Sequence, residues 1–139
     1  MSRHAWIVAL ATLLIPPAMA QNTFPDLRGT WKGDSESIVW GPGNAHYPAS
    51  QQADPRLTSI PFTITIDKQE GRRLSGTFSS PQSSEPVIGV ISRTGTIFFA
   101  DDDGTDFGTL IGPNRLEICH LQGGPDTRIA ACTEYTRQQ

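Results

Sequence analysis

The chain has 139 residues and a formal charge of −3 at neutral pH, with 11 Lys and Arg set against 14 Asp and Glu. That length supports one hydrophobic core and not two. The arginines stand singly apart from Arg72-Arg73, so no basic patch is offered to nucleic acid or to an anionic membrane surface.

In chain order the first segment reads as an export signal. Ser2-Arg3-His4 is a short basic start, residues 5–15 are an apolar run, and Ala18-Met19-Ala20 supplies small residues before Gln21. The apolar run is too short for a membrane anchor, and no Cys follows it that would take a lipid. The expectation is a signal peptide over 1–20 and a single exported domain over 21–139, periplasmic or extracellular and not membrane-bound after cleavage.

The rest of the chain shows no sustained helical period, and Gly and Pro punctuate it at the spacing of short antiparallel strands. The first strand runs from Gly29 to Trp40, interrupted near Gly33, and a long polar loop follows from Gly41 to Pro55. Ile60–Ile66 alternates apolar residues with threonine, the period of a half-buried strand. After the turn at Gln69–Arg72 come Leu74–Phe78, Pro86–Ser92, a tight turn at Arg93-Thr94-Gly95, and Thr96–Asp101. Asp103-Gly104 reads as a hairpin dipeptide with positive φ angles leading into Phe107–Ile111. Arg115–Leu121 and Arg128–Arg137 complete the set.

Eight strands joined by short turns predict an all-β fold, an eight-stranded antiparallel up-and-down barrel, in which closure removes the exposed edges of a flat sheet. A two-sheet sandwich is the competing arrangement. Such a barrel is wide enough to be filled by side chains or to hold one small ligand. Trp31 and Arg137 are expected to seal one end, with the guanidinium stacked on the indole.

Cys119 and Cys132 flank the turn Gly123-Gly124-Pro125-Asp126, which places them opposite each other on a hairpin. In an oxidising compartment they form a disulfide; the alternative is two unpaired buried thiols. Two cysteines at this spacing make no metal motif.

Leu27-Arg28-Gly29-Thr30-Trp31 resembles the G-x-W opening shared by lipocalins, fatty-acid-binding proteins and avidins, the calycin-like barrels. Tyr135-Thr136-Arg137 is similar to the closing triplet of avidins, and Leu74–Ser80 to their third strand. The resemblance implies a ligand-binding barrel, and it places Ser37 and Ser80 where that family sets hydroxyls around biotin. Gly33, Phe78 and Thr133 depart from the family's Asn, Tyr and Asp, and the tryptophan box is missing, so biotin is not the expected ligand.

With Trp31 at the sealed end, the loops after strands one, three, five and seven lie at the mouth. Alternation points Ser35 and Ser37 inward on the first strand, Phe78 and Ser80 on the third, and Thr133 and Tyr135 on the last. Cys132 faces outward, which turns His120 inward. These residues, with His46 of the first mouth loop, form the candidate ligand site, whose predicted occupant is a small, mainly apolar molecule. His46 and Tyr47 read either as a lid contact or as part of a solvated loop, and His120 as a wall residue rather than a ligand.

Asp101–Asp106 invites a calcium reading but lacks the spacing and distal Glu of an EF-hand loop, so it is taken as a polar hairpin. There is no G-x-S-x-G, no metal triad and no free Cys, so no catalytic residue, metal or cofactor is assigned. The competing function is a protein-binding module, such as an inhibitor of a secreted hydrolase that inserts the N-terminal tail Gln21–Pro25.

Overall fold

A computed structural model describes residues 24–139; the expected signal peptide lies outside them. Nine antiparallel strands follow one another: β1 Gly29–Trp40, β2 Arg56–Thr58, β3 Pro61–Glu70, β4 Arg73–Ser79, β5 Ser84–Ile91, β6 Ile97–Ala100, β7 Thr105–Gly112, β8 Arg115–Gly123 and β9 Arg128–Arg137. Each long strand pairs with the next, and β1 pairs with β9, so eight strands close into a barrel. That closure rules out the sandwich. β2 is an addition that the sequence pattern did not suggest. It is three residues long and extends the β1 edge beyond the end of β3, pairing Ser37, Ile38 and Val39 with Thr58, Leu57 and Arg56.

The interruption expected near Gly33 does not break the strand, which stays paired with β3 there, but the ladder to β9 lapses at Gly33 and Asp34. β1 keeps one register against β9 from Trp31↔Arg137 to Trp40↔Arg128. Gly33 is there for close approach instead: a Cβ at that position would sit 2.2 Å from the Glu134 carbonyl oxygen.

Alternation assigns the inner face. At the closed end the inward residues form an apolar ring of Trp31, Ile66, Leu74, Ile91, Ile97, Leu110, Leu116 and Tyr135. The segment before β1 caps this ring, with Leu27 fully buried and Phe24 packed against the core. The Trp31 indole N–H donates to the Leu27 carbonyl at 2.9 Å. Arg137 lies with its guanidinium carbon 4.2 Å from the centre of the indole ring and donates to the Arg28 and Asp26 carbonyls, each at 2.6 Å. The predicted seal is present, and the leading segment is bound beneath it.

Cys119 and Cys132 are paired in register across β8 and β9 and joined by a disulfide on the outer wall, with Cα atoms 4.0 Å apart. There are no free cysteines.

Candidate functional site

The mouth end of the barrel is built differently from the closed end. Its inward positions carry Ser35, Ser37, Ser80, Glu85, Asp106, His120 and Thr133, with Phe62 and Phe78 stacked at 4.8 Å between centroids. The loop from Gly41 to Pro55 is exposed over much of its length, but it turns His46 and Tyr47 down into the mouth, where both are buried. Gly41 and Gly43, at φ +85° and +86°, turn the chain back over the barrel. Asn44 then accepts the His46 and Tyr47 backbone N–H groups on its side-chain oxygen, at 3.0 and 2.9 Å. This Asx-type turn drops both side chains into the mouth. Arg56, at the start of β2, holds the loop from beneath by donating to the Gly41 and Pro48 carbonyls at 2.6 and 3.1 Å.

The solvated-loop reading of His46 and Tyr47 is therefore corrected, since both are buried. The Tyr47 hydroxyl meets Ser37 Oγ at 3.0 Å and Ser35 Oγ at 3.3 Å, and burial pushes its pKa up. His46 stands edge-on to Phe62 and Phe78. Its Nδ1 is 2.8 Å from Ser80 Oγ and its Nε2 is 3.1 Å from Glu85 Oε1. Ser80 Oγ already accepts the Gln82 and Ser83 N–H groups, at 3.3 Å each. The consistent arrangement has Ser80 donating to Nδ1 and the Nε2–H donating to Glu85. Burial raises the Glu85 pKa against the pull of His46.

A second imidazole and carboxylate pair faces it. His120 Nδ1 lies 3.1 Å from Asp106 Oδ1. Asp101, at the end of β6, accepts the Asp103 and Gly104 N–H groups at 3.1 and 3.0 Å. Those two bonds, and not positive φ angles, make the turn: Gly104 does not adopt a positive φ. Gly104 is required by close approach, because a Cβ there would stand 2.6 Å from His120 Cε1. Burial is the main cause that pushes the Asp106 carboxyl up to about 6, and the Asp101 carboxylate adds to it. The backbone and Asp106 hydrogen bonds hold Asp101 below its ordinary value despite burial. The surrounding carboxylates of Asp106, Asp101 and Asp103 raise His120 against the opposing effect of burial.

Between the two pairs a cavity of about 20 Å³ remains, lined by Phe78, Glu85, Asp101, Asp106, His120 and Thr133 among others. That is room for about one water molecule. Of the two possibilities for the interior, filled or open to a ligand, the structure shows it largely filled, by Tyr135 and Phe78 from the wall and by His46 and Tyr47 from the loop. The structure brings all eight sequence-assigned site residues, Ser35, Ser37, His46, Phe78, Ser80, His120, Thr133 and Tyr135, to the inner face. Tyr135 sits deepest, where burial lifts its pKa strongly.

Phe62, Glu85, Asp101 and Asp106 were not assigned. The signal for two of them was parity: extending β5 back to Glu85 and β7 back to Asp106 puts a carboxylate in line with Val87 and Gly108, both inward.

The chain is 29% identical over 134 residues to protein rot1 of Emericella nidulans, an alignment that covers 94% of this chain and 57% of that protein. No family profile and no solved structure matches the chain.

Proposed function

We propose that the protein is an exported binding protein of calycin-like architecture whose recognition site is the polar mouth chamber. The observation that carries this reading is the contrast between the barrel's two ends. One is closed by aliphatic residues and Trp31, while the other buries Glu85, Asp106 and His46 and half-buries Asp101 and His120 around a cavity. Buried ionisable groups cost stability relative to apolar filling and gather where ligands are handled.

The chamber's four carboxylates, Glu85, Asp101, Asp103 and Asp106, outnumber its two imidazoles. It favours a small ligand that is cationic or rich in hydrogen-bond donors and that also carries an apolar part, because Phe62, Phe78, Ile118 and Tyr135 make most of the wall between the charged groups apolar. An organic ligand enters by displacing His46 and Tyr47. The disulfide supports export, and among the described residues no helix is long and apolar enough to cross a membrane.

Thermal-shift screening of the oxidised protein against small amines and polar molecules tests the reading. Hits that lose their effect in Glu85→Gln and Asp106→Asn support it. Hits that stabilise both variants as much as the wild type sink it.

A protein-binding role is favoured by one separate feature. Outward residues around the mouth form an uncharged row in cross-strand register: Ile88, Ala100, Thr105, Leu121, Ala130, Ile38 and Leu57. Leu57, Ile88 and Leu121 are well exposed within it, as suits a contact surface. The tail-insertion form of that role gains nothing from the structure, because Phe24–Arg28 is held against the closed end.

A further inference from the structure

We infer that the mouth chamber holds a divalent transition-metal ion of the Zn²⁺ type, with Asp101, Asp106 and His120 as its protein ligands. The inference rests on the proposed mouth site and names its ligand.

One donor atom from each of the three residues lies within 4.8 Å of the other two. Two donors bound to one ion at about 2.0–2.2 Å stand at most about 4.4 Å apart, so small side-chain rotations bring all three into range. His120 Nδ1 lies 3.1 Å from Asp106 Oδ1, and an Nδ1–H donating there fixes the tautomer that leaves Nε2 as the ring's metal-binding nitrogen.

Two further observations point the same way. His120 Nε2 is a buried nitrogen with no hydrogen-bond partner, and it faces the Asp101–Asp106 turn, 3.1 Å from where a Cβ of Gly104 would be. An imidazole held at that depth with one nitrogen unused is costly unless the ring has another task. The cavity beside the cluster has space for about one water, which suits an ion with three protein ligands and one open position. Glu85 and Asp103 on the same wall add negative charge without joining the ligand set.

Ligand chemistry selects the class of ion. An imidazole with two carboxylates suits a borderline first-row metal, whereas Ca²⁺ takes six to eight oxygen ligands. Of the acidic turn, only Asp101 and Asp106 belong to the converging cluster, so the calcium reading of Asp101–Asp106 does not have its donors.

Calorimetric titration of the metal-free, oxidised protein with Zn²⁺ tests the site. The expected result is saturable binding of one ion per chain, weakened by at least about 10-fold in Asp106→Asn and in His120→Gln. Glu117→Gln on the outer wall should bind as the wild type does. Asp106→Asn keeps the side chain's size and removes a buried charge, so its fold is expected to survive; indole fluorescence of Trp31 checks this. The His120 ring resonances should shift on titration. No saturable binding overturns the inference, and so does equal binding by wild type and both variants, which marks an adventitious ion only. If Zn²⁺ fails while an organic amine binds in the mouth, the metal assignment falls and the binding-protein reading stands.

Discussion

The guanidinium of Arg137 covers the face of the Trp31 indole at 4.2 Å, and the two residues are direct cross-strand partners where β9 closes onto β1. The contact joins the first and last strands, so it holds the barrel shut as well as plugging it. Trp31→Ala should cost roughly 3–5 kcal/mol, as for other buried aromatics, and Arg137→Ala less. Arg137→Lys should fall between wild type and Ala, because an ammonium does not span the Asp26 and Arg28 carbonyls together. Denaturant unfolding of the two Ala single variants and their double variant should show strong non-additivity; simple addition would show that the two residues act independently.

The disulfide lies on the outer wall and encloses a sequence separation of 13 residues. Replacing both cysteines with Ala should cost roughly 2–3 kcal/mol on the chain-entropy account. The mouth should keep its geometry, because Cys119 and Cys132 face away from it. Equal loss of stability on adding reductant to the wild type, with unchanged His46 and His120 ring resonances, checks both parts.

The folded-state pKa of Asp106 is about 6, above its ordinary 3.8. A carboxyl raised on folding binds its proton more tightly in the native state, so stability is lost as pH rises between those two values. The raised pKa of His120 acts in the same sense, its stabilisation fading as pH climbs through the folded value. Asp106→Asn cannot ionise and should therefore gain on the wild type as pH goes from 4 to 7, by up to about 3 kcal/mol. Melting curves across that range measure the difference, and a gap that narrows with rising pH would contradict the assignment.

Asn44 shapes the loop that fills the mouth. Asn44→Ala removes the acceptor for two backbone N–H groups, a loss of roughly 1–3 kcal/mol confined to the loop. Hydrogen exchange should speed up across residues 41–55 and stay slow in β3 and β4.

Much of this fold could be read from the alternation of side chains. Ile60–Ile66, Leu74–Phe78 and Arg128–Arg137 have one face buried, and the period of two shows through directly. The bookends Trp31 and Arg137 gave the closure. β2 was not legible because three residues carry no period, and its pairing depends on where β3 happens to end. The filling of the mouth was hidden for a different reason. His46 and Tyr47 sit in a Gly- and Pro-rich stretch whose local chemistry is that of an open loop, and only Asn44, Arg56 and the distant partners Ser80 and Glu85 fix their direction. Glu85 and Asp106 lie at strand ends, where the expected boundaries stopped one or two residues short.

The central claim is that recognition happens inside the mouth and not on the outer wall. An isotope-resolved NMR titration with the best-stabilising small ligand or ion tests it most directly. The account predicts that shifts concentrate on the rings of His46 and His120, on Phe78 and Thr133, and on the amides of residues 41–55. Shifts confined to Ile38, Leu57, Ile88 and Leu121, with both histidine rings unmoved, would contradict it.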